Sequence, residues 1–179
     1  MGKMKNVTLE DIPIVMRNFA GAEDKFNPPG KRNFSILLDE KQAQQMTEDG
    51  WNIKYLKVRD EGDTPQAFLK VEVSYKRRPP KICMITSRGL TYLAEDDLQM
   101  LDWVDIETAD VTLNPYEYDV NGNTGVKAYA IGVYIKIVED YLELKWQKWA
   151  EEQGALPAGS ISTENLDYID AEVLELEAA

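Results

Sequence analysis

Apolar positions along this chain recur mainly at every second residue, in short stretches separated by Pro, Gly and Asn/Asp clusters. Residues 7–19 alternate loosely around Pro13 and predict a first or edge strand, since Pro cannot donate to a ladder. After the loop AGAEDKFNPPGKR, residues 33–38 predict a strand with Phe34, Ile36 and Leu38 on one face. A short helix follows, with Asp39 as N-cap, Gln42 three residues on and Gly50 as the stop. Residues 51–58 return to strand character. Beyond the turn-rich DEGDTPQ, residues 67–75 alternate cleanly, Leu69, Val71, Val73 and Tyr75 opposing Phe68, Lys70, Glu72 and Ser74.

Arg77, Arg78, Pro79 and Pro80 break that strand, and residues 81–86 resume it with the apolar run ICMI, where Cys83 reads as a small core residue. Residues 93–103 predict a second helix, with Glu95, Asp96 and Asp97 near its positive end and Leu98 and Leu101 on one face. Residues 111–120 and 125–138 predict a hairpin around NGNTG, because Asn-Gly favours the left-handed turn that matches strand twist. Residues 140–153 predict a closing helix bearing Trp146 and Trp149. The sum is a β-rich α+β domain of about six or seven strands, for which a small OB-fold-like antiparallel barrel, with two short inserted helices and a C-terminal helix, is one arrangement and an open sheet another.

Composition narrows the chemistry. The 179 residues suffice for one domain with a substantial core. There is no histidine and one cysteine, which excludes Ser-His-Asp and Cys-His catalysis, a disulfide framework, a four-cysteine zinc site and a CxxC redox pair. With no apolar run near the ~20 residues of a membrane span and no signal-peptide core in MGKMKNVTLEDI, a soluble cytoplasmic protein is expected.

The net charge of −12 is unevenly spread: residues 1–90 hold 16 basic and 12 acidic side chains, residues 91–179 only 4 basic against 20 acidic. Residues 151–179 carry eight acids and no base, and include the linker-like GALPAGSIST. The expected organisation is therefore a folded domain over residues 1–150 and an acidic tail over residues 151–179. Bases in the body cluster at Lys25/Lys31/Arg32, Lys54/Lys57/Arg59 and Lys76/Arg77/Arg78/Lys81. Within a Debye length of about 8 Å such patches matter more to an anion than the distant total.

No phosphate-binding glycine loop is present. Asp119, Asn121 and Asn123 imitate a calcium loop, but the glycine offset is wrong and Ala130 stands where a bidentate Glu belongs. Asp140, Glu143 and Lys145 imitate a Mg²⁺ nuclease, yet on one helix they read as solvated acid-to-Lys pairing. What recurs is bases interleaved with aromatics: Arg17/Phe19, Lys25/Phe26, Lys31/Arg32/Phe34, Trp51/Lys54/Tyr55, Tyr75/Lys76, and Tyr116/Tyr118 beside Lys127/Tyr129. Cations neutralise phosphates and flat rings stack unpaired bases. Phe34 and Trp103 are read as core, Tyr75 and Tyr116 as core or platform alike, and KRRPPK as a stiff exposed basic loop.

Four collinear segments, VMRNFAGAEDKFNPPGKRNFSILLDE, WNIKYLKVRDEGDTPQAFLKVEVSY, PPKICMITSRG and NPYEYDVNGNTGVKAYAIGVYIKI, resemble bacteriophage-type single-stranded DNA-binding proteins of the OB-fold class. The resemblance spans about residues 7–145. It implies a non-enzymatic, sequence-independent binder of single strands in phage replication and recombination, working in the host cytoplasm without cofactor or metal. Its acidic tail would recruit replication or recombination proteins, or compete with DNA for the groove. Phosphate contacts are then expected from Lys76, Arg77, Arg78 and Lys81, with Arg32, Lys54, Lys57 and Arg88 lining the groove. Stacking is expected from Trp51, Tyr55, Tyr75 and Tyr116. Glu164, Asp167, Asp170, Glu172, Glu175 and Glu177 would form the partner-binding tail, whose Glu-Ala-Ala end lacks the Pro-Phe of bacterial counterparts. An acidic DNA mimic or defence-blocking protein is the competing class, and homo-oligomerisation is left open.

Overall fold

The computed structural model describes residues 3–76 and 78–154. Arg77 and all six acidic tail positions named above, from Glu164 to Glu177, lie outside the described residues. The chain divides into two compact units, Met1–Val138 and a second that starts at Glu139. The first contains the strands β1 (Val7–Ile12), β2 (Ile14–Asn18), β3 (Arg32–Leu38), β4 (Ile53–Tyr55), β5 (Ala67–Val73), β6 (Lys81–Thr86), β7 (Gly89–Tyr92), β8 (Ile106–Val120) and β9 (Asn123–Ile137). It also holds helix α1 (Glu40–Glu48) and a 3-10 helix over Glu95–Asp102. The second unit contributes α2 (Tyr141–Glu152).

The main hydrogen-bonded path runs β1-β8-β9-β5-β3-β2. Its two ends are successive parts of one stretch, interrupted only by Pro13, so the path returns on itself in the manner of an OB barrel. The exchange of partners is made by bulges. The register of β1 on β8 shifts between Leu9 and Ile12, and that of β2 on β3 between Val15 and Asn18. Asp11 and Met16 adopt positive φ there, 53° and 49°. An extra residue bends a strand sharply, and Pro13 sits at the bend, where its carbonyl still accepts the Leu37 N–H at 3.1 Å.

The expected alternation supplies the core. Phe34, Ile36 and Leu38 of β3, the odd positions from Ala67 to Val73 of β5, and Val111 and Leu113 of β8 are buried. Phe19 and Phe34 stack at 5.1 Å. Cys83 is buried as expected. The 3-10 helix seals this core with the fully buried Leu98 and Leu101. Two polar ties hold it: Asp102 accepts the Phe19 and Ala20 N–H groups at 2.7 and 3.0 Å, and the Arg17 guanidinium donates to the Leu101 and Val104 carbonyls.

Local signals are realised in α1, where Asp39 and Gln42 close a capping box and Gly50 takes φ +96°. The β8–β9 turn is likewise Asn121-Gly122, both at positive φ. Other expectations change. The strand expected over residues 51–58 contracts to β4 plus a bridge from Trp51 to Val126, and β7, without alternation, was not expected. Trp103 is 86% exposed rather than core. Residues 95–102 wind as a 3-10 helix whose N-cap, Ala94, has no side-chain oxygen to offer, and Trp103 falls outside the Leu98/Leu101 face. The β5–β9 and β6–β9 pairings are parallel, an orientation that period-2 alternation does not encode. Among the described residues no helix is long and apolar enough to cross a membrane.

Candidate nucleic-acid interface

The outer surface of β3, β5, β9 and β8 is assembled by register. Because Leu69, Val71 and Val73 point into the core, Phe68, Lys70 and Glu72 point out. Across the pairings, Asn33, Glu72, Tyr129 and Asn114 form one row. Two residues back along β5 and β9, Lys70 lies opposite Ser35 on β3, and Lys127 lies opposite Tyr116 on β8. One step further, Phe68 faces Lys54 of β4 and Tyr118 faces Gly125. Three tyrosines and three lysines thus share one outward surface. Tyr116 meets Tyr129 edge to face at 5.8 Å, and the Lys127 ammonium sits 5.7 Å from the centre of the Tyr118 ring.

Tyr118 is held in place. Asn52 Nδ2 donates to its hydroxyl at 3.0 Å. A Cβ on Gly125 would lie 2.3 Å from Asn52 Oδ1, 2.6 Å from the Tyr118 hydroxyl oxygen and 2.8 Å from Tyr118 Cζ. Gly125 does not take a positive φ, so it is required by the space it leaves for a ring lying across the neighbouring strand.

The ends of this surface are bounded by connections. Arg32 pairs with Val73, so the β2–β3 loop and the β5–β6 connection emerge at the same end. The Asn121-Gly122 turn lies at the other. The β5–β6 connection presents exposed Lys76 and Arg78. Lys81, exposed at the start of β6, stands over Tyr92 at 5.8 Å.

Chain membership follows from comparison with known proteins. A family model described as a phage ssDNA-binding domain matches residues 1–177. The chain belongs to this family. Solved structures similar to it include the single-stranded DNA-binding protein of bacteriophage Enc34 in complex with ssDNA, 7% identical over 75% of this chain and 88% of that one, at a TM-score of 0.48. The same Enc34 protein in a further structure is 7% identical over 90% and 89%, at 0.47. Gp2.5, a single-stranded DNA-binding protein encoded by bacteriophage T7, is 13% identical over 77% and 95%, at 0.42. No curated protein matches the sequence.

Within this phage ssDNA-binding domain, the residues singled out from sequence separate into groups. Lys54 and Tyr116 lie on the outward surface described above. Trp51 does not: it is 4% exposed, packed in the core and bridged to Val126, so a base has no access to its face. Tyr55 is 56% exposed but pairs with Ala67, which places it on the opposite side of β4 from Lys54. There it lines a cavity of about 610 Å³ with Leu38, Glu40, Ala43 and Thr47. Lys57 is exposed in the loop beyond β4, and Arg88 lies in the β6–β7 turn.

Arg32 and Tyr75 meet away from the lysines of that surface. The Arg32 guanidinium bonds to Glu95 at 2.9 Å and lies 6.0 Å from the Tyr75 ring centre. Burial raises the Tyr75 phenol above the usual tyrosine value; Glu95 adds to this and Arg32 opposes it. Arg32 is therefore already committed to a carboxylate. Of the residues that imitate a Mg²⁺ nuclease, Asp140 caps α2 by accepting the Leu142 and Glu143 N–H groups, and Glu143 accepts from Gln147. Among the described residues no cluster of three or more acidic or cysteine side chains is placed to hold a metal.

Sequence reasoning left out Lys70, Tyr118, Lys127 and Tyr129 as site residues. The signal was present in VKAYA, where Lys127 and Tyr129 alternate with buried Val126, Ala128 and Ala130. That Lys70 and Lys54 join them is a consequence of strand order, not of any local pattern.

Proposed function

We propose that the outward face of β4, β5, β9 and β8 binds single-stranded DNA without sequence preference and without catalysing a reaction on it. The observation that supports this most directly is the grouping of Tyr116, Tyr118 and Tyr129 with Lys54, Lys70 and Lys127 on one surface of a phage ssDNA-binding domain. Rings offer stacking to any base, worth about 1–3 kcal/mol each, and lysines neutralise phosphates, so neither contact depends on base identity. An open outward surface suits an unpaired strand, whose bases are free to turn toward the protein. Lys76, Arg77, Arg78 and Lys81 add positive charge along the β5–β6 connection, where a departing strand would pass.

Binding of a fluorescent oligo-dT measured over a range of salt tests the reading. On single strands the log-log slope is about −0.7 per phosphate neutralised, and Lys54→Ala, Lys70→Ala and Lys127→Ala should each flatten it by about that amount. Salt-independent binding, or binding no tighter than to duplex, overturns the proposal; an acidic DNA mimic would not be retained at all. Of the eight acids of residues 151–179, the six from Glu164 to Glu177 are interspersed with Leu166, Tyr168, Ile169, Val173, Leu174 and Leu176, a composition that fits a segment recruiting replication or recombination proteins while competing with DNA for basic side chains. Deleting residues 155–179 should tighten oligo-dT binding at low salt, and unchanged binding would remove the competition.

A further inference from the structure

The loop between β2 and β3 holds a phenyl ring in water by design of its hydrogen bonds. Phe26 at its tip is 87% exposed. Directly behind it Asn27 is only 7% exposed, and its carboxamide serves the whole loop. Nδ2 shares its protons among the carbonyls of Ala22, Pro28 and Lys31 at 3.1, 3.2 and 2.9 Å, while Oδ1 accepts from Asn33 at 3.1 Å. Asp24 and Asn27 exchange backbone bonds at 3.0 and 3.3 Å, and the Phe26 N–H donates to Asp24 Oδ1 at 2.7 Å. The neck is closed by Gly30 N–H to the Gly21 carbonyl at 2.8 Å, with Gly21 at φ +70° and a Cβ there only 3.1 Å from the Gly30 backbone.

The anchor of this loop is part of the candidate interface. Asn33, which holds Asn27, stands in the outward row that continues through Glu72 to Tyr129. The loop is therefore tied to the surface that carries the tyrosines and lysines, at one of its two ends. Lys25 Nζ lies 5.7 Å from the Phe26 ring centre, so a cation accompanies the ring.

We propose that the β2–β3 loop is a preformed clamp on single-stranded DNA, with Phe26 stacking on one base and Lys25 meeting the adjacent phosphate. It rests on the single-strand reading of the neighbouring surface. An exposed ring in a floppy loop would lose much of its stacking gain to ordering; here the backbone is ordered beforehand by the Asn27 and Gly21 contacts. A single strand, unlike duplex, has bases free to stack on an exposed ring held beside that surface.

The test compares the unaltered chain, Phe26→Ala and Phe26→Trp on oligo-dT and on an abasic deoxyribose-phosphate oligomer of equal length. Phe26→Ala should melt at the unaltered temperature and bind oligo-dT about 5- to 150-fold more weakly, whereas Phe26→Trp retains affinity. On the abasic oligomer all three should bind alike. Phe26→Ala binding oligo-dT within about twofold of the unaltered chain overturns the clamp, as does an equal loss on both oligomers. Failure of the unaltered chain to bind oligo-dT overturns the single-strand reading itself, and the clamp with it.

Discussion

Gly125→Ala separates the architecture of the barrel from the chemistry of its surface. Gly125 is in β9, opposite Tyr118, and its φ is accessible to alanine, so the backbone itself resists nothing. The added methyl would intrude to 2.3 Å from Asn52 Oδ1 and 2.8 Å from Tyr118 Cζ. Both obstacles are side chains on the outer surface, and they would swing away rather than strain the core. The hydrogen bond from Asn52 to Tyr118 would be lost, about 0.5–1.5 kcal/mol. Against this, alanine restricts the unfolded chain by about 0.4–1 kcal/mol. The two nearly cancel, leaving a net change within about 1 kcal/mol and a melting shift of about 2–4 °C at most for a chain of this size.

Affinity should behave differently. With the Tyr118 ring displaced, one stacking platform would be lost, about 1–3 kcal/mol, or roughly 5- to 150-fold in Kd. Anisotropy titration of labelled oligo-dT at fixed salt, beside a thermal melt, reads both quantities. Because Gly125→Ala and Tyr118→Ala would remove the same platform, their double variant should bind no more weakly than Tyr118→Ala alone. Unchanged affinity in Gly125→Ala, or additive losses in the double variant, would refute the role given to the glycine.

Two further predictions concern stability. Trp51→Ala should destabilise the barrel by about 3–5 kcal/mol because it empties a core position, while Trp103→Ala, at an exposed indole, should stay within about 0.5 kcal/mol, both read by urea unfolding. For Tyr75, the folded phenol titrates above the usual tyrosine value, so between the two values the native state holds a proton that the unfolded state has released. Its contribution to stability is complete below the unfolded value and disappears as pH rises through the folded one. Tyr75→Phe should therefore lose less stability than the unaltered chain as pH rises through and above the usual tyrosine value of about 10, measured by denaturant unfolding; parallel curves would show that Tyr75 does not couple to folding.

The legible parts of the molecule were those decided by a few adjacent residues. The Asp39/Gln42 capping box, the Asn121-Gly122 turn, the closing helix near residues 140–153 and the inward positions of β3 and β5 depend on local geometry that a short segment carries by itself. The basic and aromatic interleaving also pointed to nucleic acid despite a net charge of −12. Misassigned rings show the limit. Trp51 lies beside a lysine and a tyrosine in sequence, yet is core, because it bridges to β9 where the barrel covers it. Trp103 resembled a core residue, yet no neighbouring strand reaches it.

By itself the sequence determined the strand-rich class, the position of the turns and caps, the polarity of charge along the chain and the kind of ligand that bases and rings together would suit. Only the tertiary structure decided which bases and rings share a surface. Alternation tells each residue which side of its own strand it occupies, but not which strand lies alongside or in which direction. The parallel pairing of β5 with β9, and of Val71 with Ala128 in register, is what brings Lys70 of one beside Lys127 and Tyr129 of the other. These positions are more than fifty residues apart in the chain, and the free energy that joins them comes from the core beneath, where neither their charge nor their aromaticity is involved.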